Sequence, residues 1–154
     1  VGDPADLVTL IDSAIADNPE NVDLWFGRGR IFYALKNYDE SIASFKKVVE
    51  LKPDLFEGNY YLGVFYTIKA DEMNKVMNEK QYSSQTAYDT DLKEVNAVYM
   101  DAVPWFEKAY ELKKDDVNTL DFLKSICFRL RDEEGMMDKY NKYNTLLKEA
   151  KGEE

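Results

Sequence analysis

The stretch Val22–Leu55, VDLWFGRGRIFYALKNYDESIASFKKVVELKPDL, decides the fold. It lies between two breaks, Asn18-Pro19-Glu20-Asn21 and Lys52-Pro53-Asp54-Leu55, whose prolines stand 34 residues apart. A polar joint at Lys36-Asn37-Tyr38-Asp39 divides it in two. Ahead of the joint, Trp25, Phe32 and Leu35 fall on one side of a helix, with Gly29 where a neighbour can approach closely. After it, Ile42, Phe45, Val48, Val49 and Leu51 recur at a helical rather than a strand period. Pro53 cannot continue that helix. The stretch therefore predicts two amphipathic helices joined by a tight turn.

The order of residues resembles a tetratricopeptide repeat. Trp25, Arg28-Gly29, Phe32, Ser41, Phe45, Val48 and Pro53 stand where that family places tryptophan, leucine-glycine, tyrosine, a small residue, phenylalanine, an apolar residue and a closing proline. Arg28 alone departs, at a place usually apolar. The pattern recurs. Leu7, Ile11, Ala14 and Pro19 match the second half of a unit, and Leu62-Gly63-x-x-Tyr66 opens another at the correct distance from Pro53. Its second half, Ala102-x-x-x-Phe106-x-x-Ala109-x-x-Leu112, comes about 27 residues late against the family period. A divergent copy follows with Leu120, Leu123, Cys127, Tyr140, Tyr143 and Leu146, where Lys124 takes the glycine place and no proline closes the unit.

The resemblance implies an all-α chain: a right-handed superhelix of about three and a half repeats, one of them an elongated hairpin, as in a bacterial-type tetratricopeptide-repeat protein. The expected organisation is a single domain over 1–154. It comprises a half repeat (5–19), a repeat (22–55), a repeat with an insertion at about 70–98 (56–116) and a divergent repeat (117–150). Leu7, Ile11 and Ile15 of the half repeat are expected to stay partly uncovered, for an upstream repeat, a partner, or as a tolerated frayed end. The start Val1-Gly2-Asp3-Pro4 lacks methionine and reads as a processed secreted chain, an excised fragment or a cloning scar, with a lean towards a bacterial cell envelope.

Within the insertion, Met73, Val76 and Met77 continue the helical period beyond the normal joint, and Leu92, Val95 and Tyr99 resume it. Both helices should lengthen into a hairpin projecting about 15 Å beyond its neighbours. The methionines are expected to pack on Leu92 and Val95, and the Tyr82–Tyr88 tip is a second place for a partner. Pro104 should kink the returning helix or restart it at Asp101 as N-cap.

Composition narrows function. The 154 residues carry a net charge of −10, which opposes binding to nucleic acid or an anionic membrane surface. Histidine is absent, removing Ser-His-Asp and Cys-His catalysis and histidine metal ligands. Cys127 is the single cysteine and reads as a buried reduced thiol. Asp71-Glu72, Asp115-Asp116 and Asp132-Glu133-Glu134 read as solvated acids at helix ends or polar joints. Asp89-x-Asp91 lacks the glycine and final acid of a calcium loop. No catalytic, cofactor or metal residue is assigned, and the reading is a non-enzyme.

What remains is a surface. In the family that the chain resembles, first helices line a concave groove where peptides bind. The groove places hold Phe26, Arg30 and Tyr33, then Tyr60, Tyr61 and Val64, then Phe122, Ser125 and Arg129. Tyrosine, phenylalanine and arginine are not neutral choices there, because hot spots are enriched in such residues. The carboxylate clamp of some co-chaperones is not reproduced, since Phe26, Arg30, Tyr61, Asn118 and Phe122 occupy its places. The expected function is a scaffold holding a peptide or protein segment of unknown identity. The alternative is an assembly element that stacks or self-associates through an open N-terminal helix face.

Overall fold

The computed structural model describes residues 2–153; Val1, the first residue of the start noted above, lies outside them. Among the described residues the chain forms seven α-helices and no strand: α1 (Pro4–Asp17), α2 (Val22–Ala34), α3 (Tyr38–Leu51), α4 (Phe56–Glu79), α5 (Gln85–Leu112), α6 (Val117–Arg129) and α7 (Met136–Lys151). Each helix packs on the next, most extensively within α2/α3, α4/α5 and α6/α7. Short connections make these pairs helical hairpins, stacked in chain order.

The helix starts are written in short polar side chains. Asn21 accepts from the amides of Asp23 and Leu24, Asn37 from Glu40, Ser84 from Ala87 and Asp116 from Thr119, each satisfying a donor the helix cannot. The turn at Lys36 has a positive φ of 56°. Two further bonds repeat with the period of the sequence. The Trp25 indole donates to the Pro19 carbonyl at 2.7 Å, and the Asn59 amide donates to the Pro53 carbonyl at 2.9 Å. Both span six residues and tie a first helix back to the preceding break.

Within a pair the helices approach through glycine. A Cβ on Gly29 would overlap the Phe45 ring, and one on Gly63 would lie 2.9 Å from Phe106. Both phenylalanines are fully buried. The core around them divides into a cluster of Ile42, Phe45, Val49, Leu62 and Phe65 and a larger cluster running from Ala70 to Leu147. Ser41 joins the first pair from inside by donating to the Gly29 carbonyl at 3.0 Å.

Arg28, at the usually apolar place, acts as a clasp. It contacts Asp12 of α1 at 2.8 Å and Glu40 of α3 at 2.9 Å, donates to Ser44 at 2.8 Å and lies over the Phe32 ring. Desolvation opposes its charge, but hydrogen bonds and attraction from Asp12 and Glu40 prevail and raise its pKa. At the other end Glu107 of α5 accepts from Lys139 at 2.6 Å and Tyr143 at 2.8 Å, fixing α7.

α4 and α5, with 24 and 28 residues, are about twice as long as α2 and α3, with 13 and 14. At about 1.5 Å per residue the extra turns of α4 project some 16 Å. Met77 and Val95 are buried there, while Met73 and Leu92 are partly buried.

Several expectations need correction. α5 is not restarted at Asp101: it runs through Pro104, which lies exposed, where water can replace the lost backbone bond. Trp25 is only half-buried, because its indole reaches back to Pro19 instead of into either core cluster. Leu35 is the C-cap of α2 and is exposed, and Val76 faces outward at 55% exposure. Leu147, not the partly buried Leu146, fills the core from α7. Asp71 and Glu72 lie inside α4, far from either end.

The glycine seats yield a prediction with opposite signs. Gly63→Ala should lose about 1–3 kcal/mol by overpacking Phe106. Gly27→Ala, which meets only Ile11 at 3.8 Å, should gain about 0.5–1 kcal/mol from helix propensity. Urea titrations of the two variants check this; equal shifts would contradict it. By the same measurement Phe45→Ala should cost about 3–5 kcal/mol and the half-buried Trp25→Ala clearly less. Burial also pushes the Cys127 thiol up to about 11, aided by Glu107 and opposed by Lys139. Cys127 should therefore resist a disulfide reagent at pH 8 until the protein is unfolded; stoichiometric labelling of the folded protein would contradict its burial.

Candidate protein-binding surface

α2, α4 and α6 each present aromatic side chains, and the fold brings these into one connected row. Phe26 of α2 meets Tyr61 of α4 edge-on at 6.0 Å. Tyr61 adjoins Tyr60 at 5.4 Å, and Tyr60 reaches Phe122 of α6 at 6.1 Å. Tyr33 enters through Phe65 at 5.5 Å. Edge-on and tilted ring pairs of this kind place the positive ring edge against a negative face. Beneath the row lie the two buried phenylalanines: Phe26 is 4.8 Å from Phe45, and Phe122 stacks at 4.8 Å on Phe106. The surface rings are thus seated on the same residues that seat the glycines.

The row is half packed and half open. Tyr33 is 46% and Tyr61 39% exposed. Phe26, Tyr60, Val64 and Phe122 are partly buried, and Tyr60, Val64 and Phe122 pack against the larger core. The Tyr60 phenol has its pKa raised, first by burial and then by Asp116 and Tyr61. It stays neutral at physiological pH.

The two arginines of the set differ. Arg30 lies one turn from Phe26 on α2, is exposed, and forms no ion pair among the described residues. Arg129 is held at the far end: its Nη2 donates to Asn74 Oδ1 at 2.7 Å, and its guanidinium lies 4.4 Å above the Tyr99 ring. Tyr99 in turn donates its hydroxyl to Asp71. Phe122, Ser125 and Arg129 line a cavity of about 380 Å³ together with Asp71, Tyr99 and Asn118. The nine sequence-selected residues therefore form one aromatic row and one polar end, with Arg30 beside the row.

Sequence reasoning missed Asp71, Tyr99 and Asn74, which anchor Arg129. Their contacts exist only once α4 and α5 are long enough to stand beside the end of α6. The Tyr82–Tyr88 tip is tied inward: the rings meet edge-on at 5.4 Å, and Tyr82 donates to Asp91, which also pairs with Lys80 at 2.6 Å. The bonds from Lys80 and Tyr82 lower the Asp91 pKa, whereas burial first and then the bond to Asp91 push that of Tyr82 up to about 12.

No cluster of three or more metal-ligating His, Cys, Asp or Glu occurs among the described residues. No helix there is long and apolar enough to cross a membrane.

Residues 1–55 match a family model described as tetratricopeptide repeat. No curated protein matches the chain significantly in sequence. Among solved structures the chain is similar to MamA MSR-1 C2, with 17% identity, 93% of this chain and 67% of that one covered, and a TM-score of 0.59. It also aligns with PilW, a widely conserved type IV pilus biogenesis factor, at 16% identity, 97% and 71% coverage and a TM-score of 0.39. With YrrB, a TPR protein with an unusual peptide-binding site, the figures are 18%, 91%, 74% and 0.36. The first likeness is one of fold. Residues 1–55 thus resemble tetratricopeptide repeats in sequence, and the seven helices as a whole carry the all-helical fold of tetratricopeptide-repeat proteins.

Proposed function

We propose that the chain is a protein-interaction scaffold that holds an extended segment of a partner along α2, α4 and α6. The observation that carries this reading is the connected row from Phe26 through Tyr61 and Tyr60 to Phe122, with Tyr33 and Tyr61 partly open to solvent. Aromatic rings fixed by neighbours lose little entropy on binding and expose large contact area. Arg30 adds a guanidinium that can stack on a ring or grip a carboxylate in two places, which lysine does less well. The segment that fits best has aromatic or aliphatic anchors and at least one acidic group.

A second reading has its own observation. Leu7 and Leu10 of α1 are 43% and 67% exposed and Ile11 partly so, although Ile15, expected among the uncovered residues, is buried; the exposed ones form an apolar stripe available for stacking with another repeat or a second copy. Light scattering across a concentration series tests its self-association: a mass that stays monomeric with the wild-type chain removes the second copy.

The main reading is tested with peptides selected from a random library on the folded chain. Tyr61→Ala should weaken the selected peptides by about 2 kcal/mol, roughly thirtyfold, as for a hot-spot residue. Arg30→Lys should weaken acidic members although the charge is kept. Undiminished binding to both variants would contradict the proposed surface.

A further inference from the structure

Beyond the aromatic row, the projecting hairpin forms one wall of a second concavity. The ends of α4 and α5 stand opposite the α6–α7 turn and enclose about 490 Å³. Asn74 and Asn78 enter it from α4, Asn96 from α5, Ser125 and Arg129 from α6, and Arg131 from the turn. Met77 and Leu92 supply apolar floor, and Asp132 is the one acid among the lining residues. Without the extra turns of α4 and α5 this wall would not exist.

The electrostatics of the cleft are unusual for this chain. The protein carries 30 acids against 20 basic residues. Arg28 is gripped by two carboxylates, yet neither Arg129 nor Arg131 pairs with one among the described residues. Arg129 spends one donor on the neutral Asn74, and its Nε is sealed from solvent without any acceptor. Arg131 donates only to the Phe128 carbonyl, at 3.1 Å, and lies over that ring. The sealed Nε is out of a ligand's reach, but the remaining guanidinium donors of Arg129 and Arg131 have no carboxylate partner among the described residues. Asparagine amides around them can donate without adding charge of their own.

We propose that this cleft recognises an acidic peptide segment of a partner protein. Asp or Glu side chains would be held by Arg131 and the open edge of Arg129, with Asn78 and Asn96 donating to the same carboxylates. The aliphatic part of the segment would rest on Met77 and Leu92. The cleft adjoins the proposed groove at Ser125 and Arg129 but does not rest on the aromatic row. A partner with a strongly acidic stretch is one that the rest of this surface, at net −10, would repel; the cleft provides a specific exception. Polynucleotides, with continuous charge, meet that repulsion along their whole length.

The probe is a capped octapeptide of alternating glutamate and leucine, with its glutamine and lysine counterparts as controls, followed by fluorescence anisotropy at low salt. The glutamate peptide should bind saturably, about tenfold or more tighter than either control, and weaken as salt is raised. Arg131→Gln should reduce its affinity about tenfold, as expected for loss of a charge-assisted contact. Asn78→Ala should reduce it several-fold, and the side-chain amide signals of Asn78 and Asn96 should shift on titration. Arg131 and Asn78 are exposed, so both variants should keep the helical circular dichroism of the wild type. Failure of the glutamate peptide to saturate, equal binding of the glutamine peptide, or full affinity in Arg131→Gln would overturn the proposal. Affinity lost in Tyr61→Ala but kept in Arg131→Gln would overturn the cleft and leave the aromatic groove standing. The reverse would support the cleft as a site separate from the aromatic groove.

Discussion

How near two helices can come to each other governs most of this structure. Gly29 lies under the Phe45 ring and Gly63 under the Phe106 ring, with no room for even a methyl group between them. Each seat lets a pair close until its phenylalanine is wholly buried, and the buried ring then becomes the floor for the surface rings Phe26 and Phe122. A pair held further apart would leave a void beneath those surface rings. Packing energy falls quickly across such a gap. The same contact thus links the interior of each pair to the face it shows to the outside.

Much of this was legible in the sequence because the repeat is a physical period. Pro19 and Pro53 stand 34 residues apart, and the bonds from Trp25 and Asn59 to their carbonyls reproduce that spacing in space. Glycine and phenylalanine at fixed offsets announced the close approach, and helical periodicity past Ala70 announced the long hairpin. What periodicity cannot show is which side of a helix another element covers. Val76 satisfies the apolar period but is left exposed, lining an open concavity with Tyr38 of α3 and Glu94 of α5. Trp25 satisfies the family pattern, but its indole nitrogen is satisfied outside the core. Pro104 reads as a breaker, and tertiary packing on both sides of it carries α5 through.

The polar contacts were the least legible part. Arg28 breaks the apolar pattern, and the compensation comes from two elements at once: Asp12 of α1 lies 16 residues away in sequence, and Glu40 and Ser44 of α3 lie 12 and 16 away. Arg129 is anchored by Asn74, 55 residues distant. No local pattern encodes partners so far apart, because their meeting depends on helix length and stacking. The candidate surface shows the same division. Its aromatic members follow from repeat position, whereas its polar end depends on the extended hairpin and could be found only in three dimensions.

The account rests on a row of rings that crosses from α2 to α4 to α6 without interruption. Nuclear Overhauser contacts between the Phe26 and Tyr61 rings and between the Tyr60 and Phe122 rings, in selectively labelled protein, test this most directly. The account predicts cross-peaks for both pairs, consistent with ring centroids 6.0 and 6.1 Å apart. Cross-peaks within each helix pair but none between α2 and α4 or between α4 and α6 would contradict it, since the hairpins would then stack without a shared aromatic face.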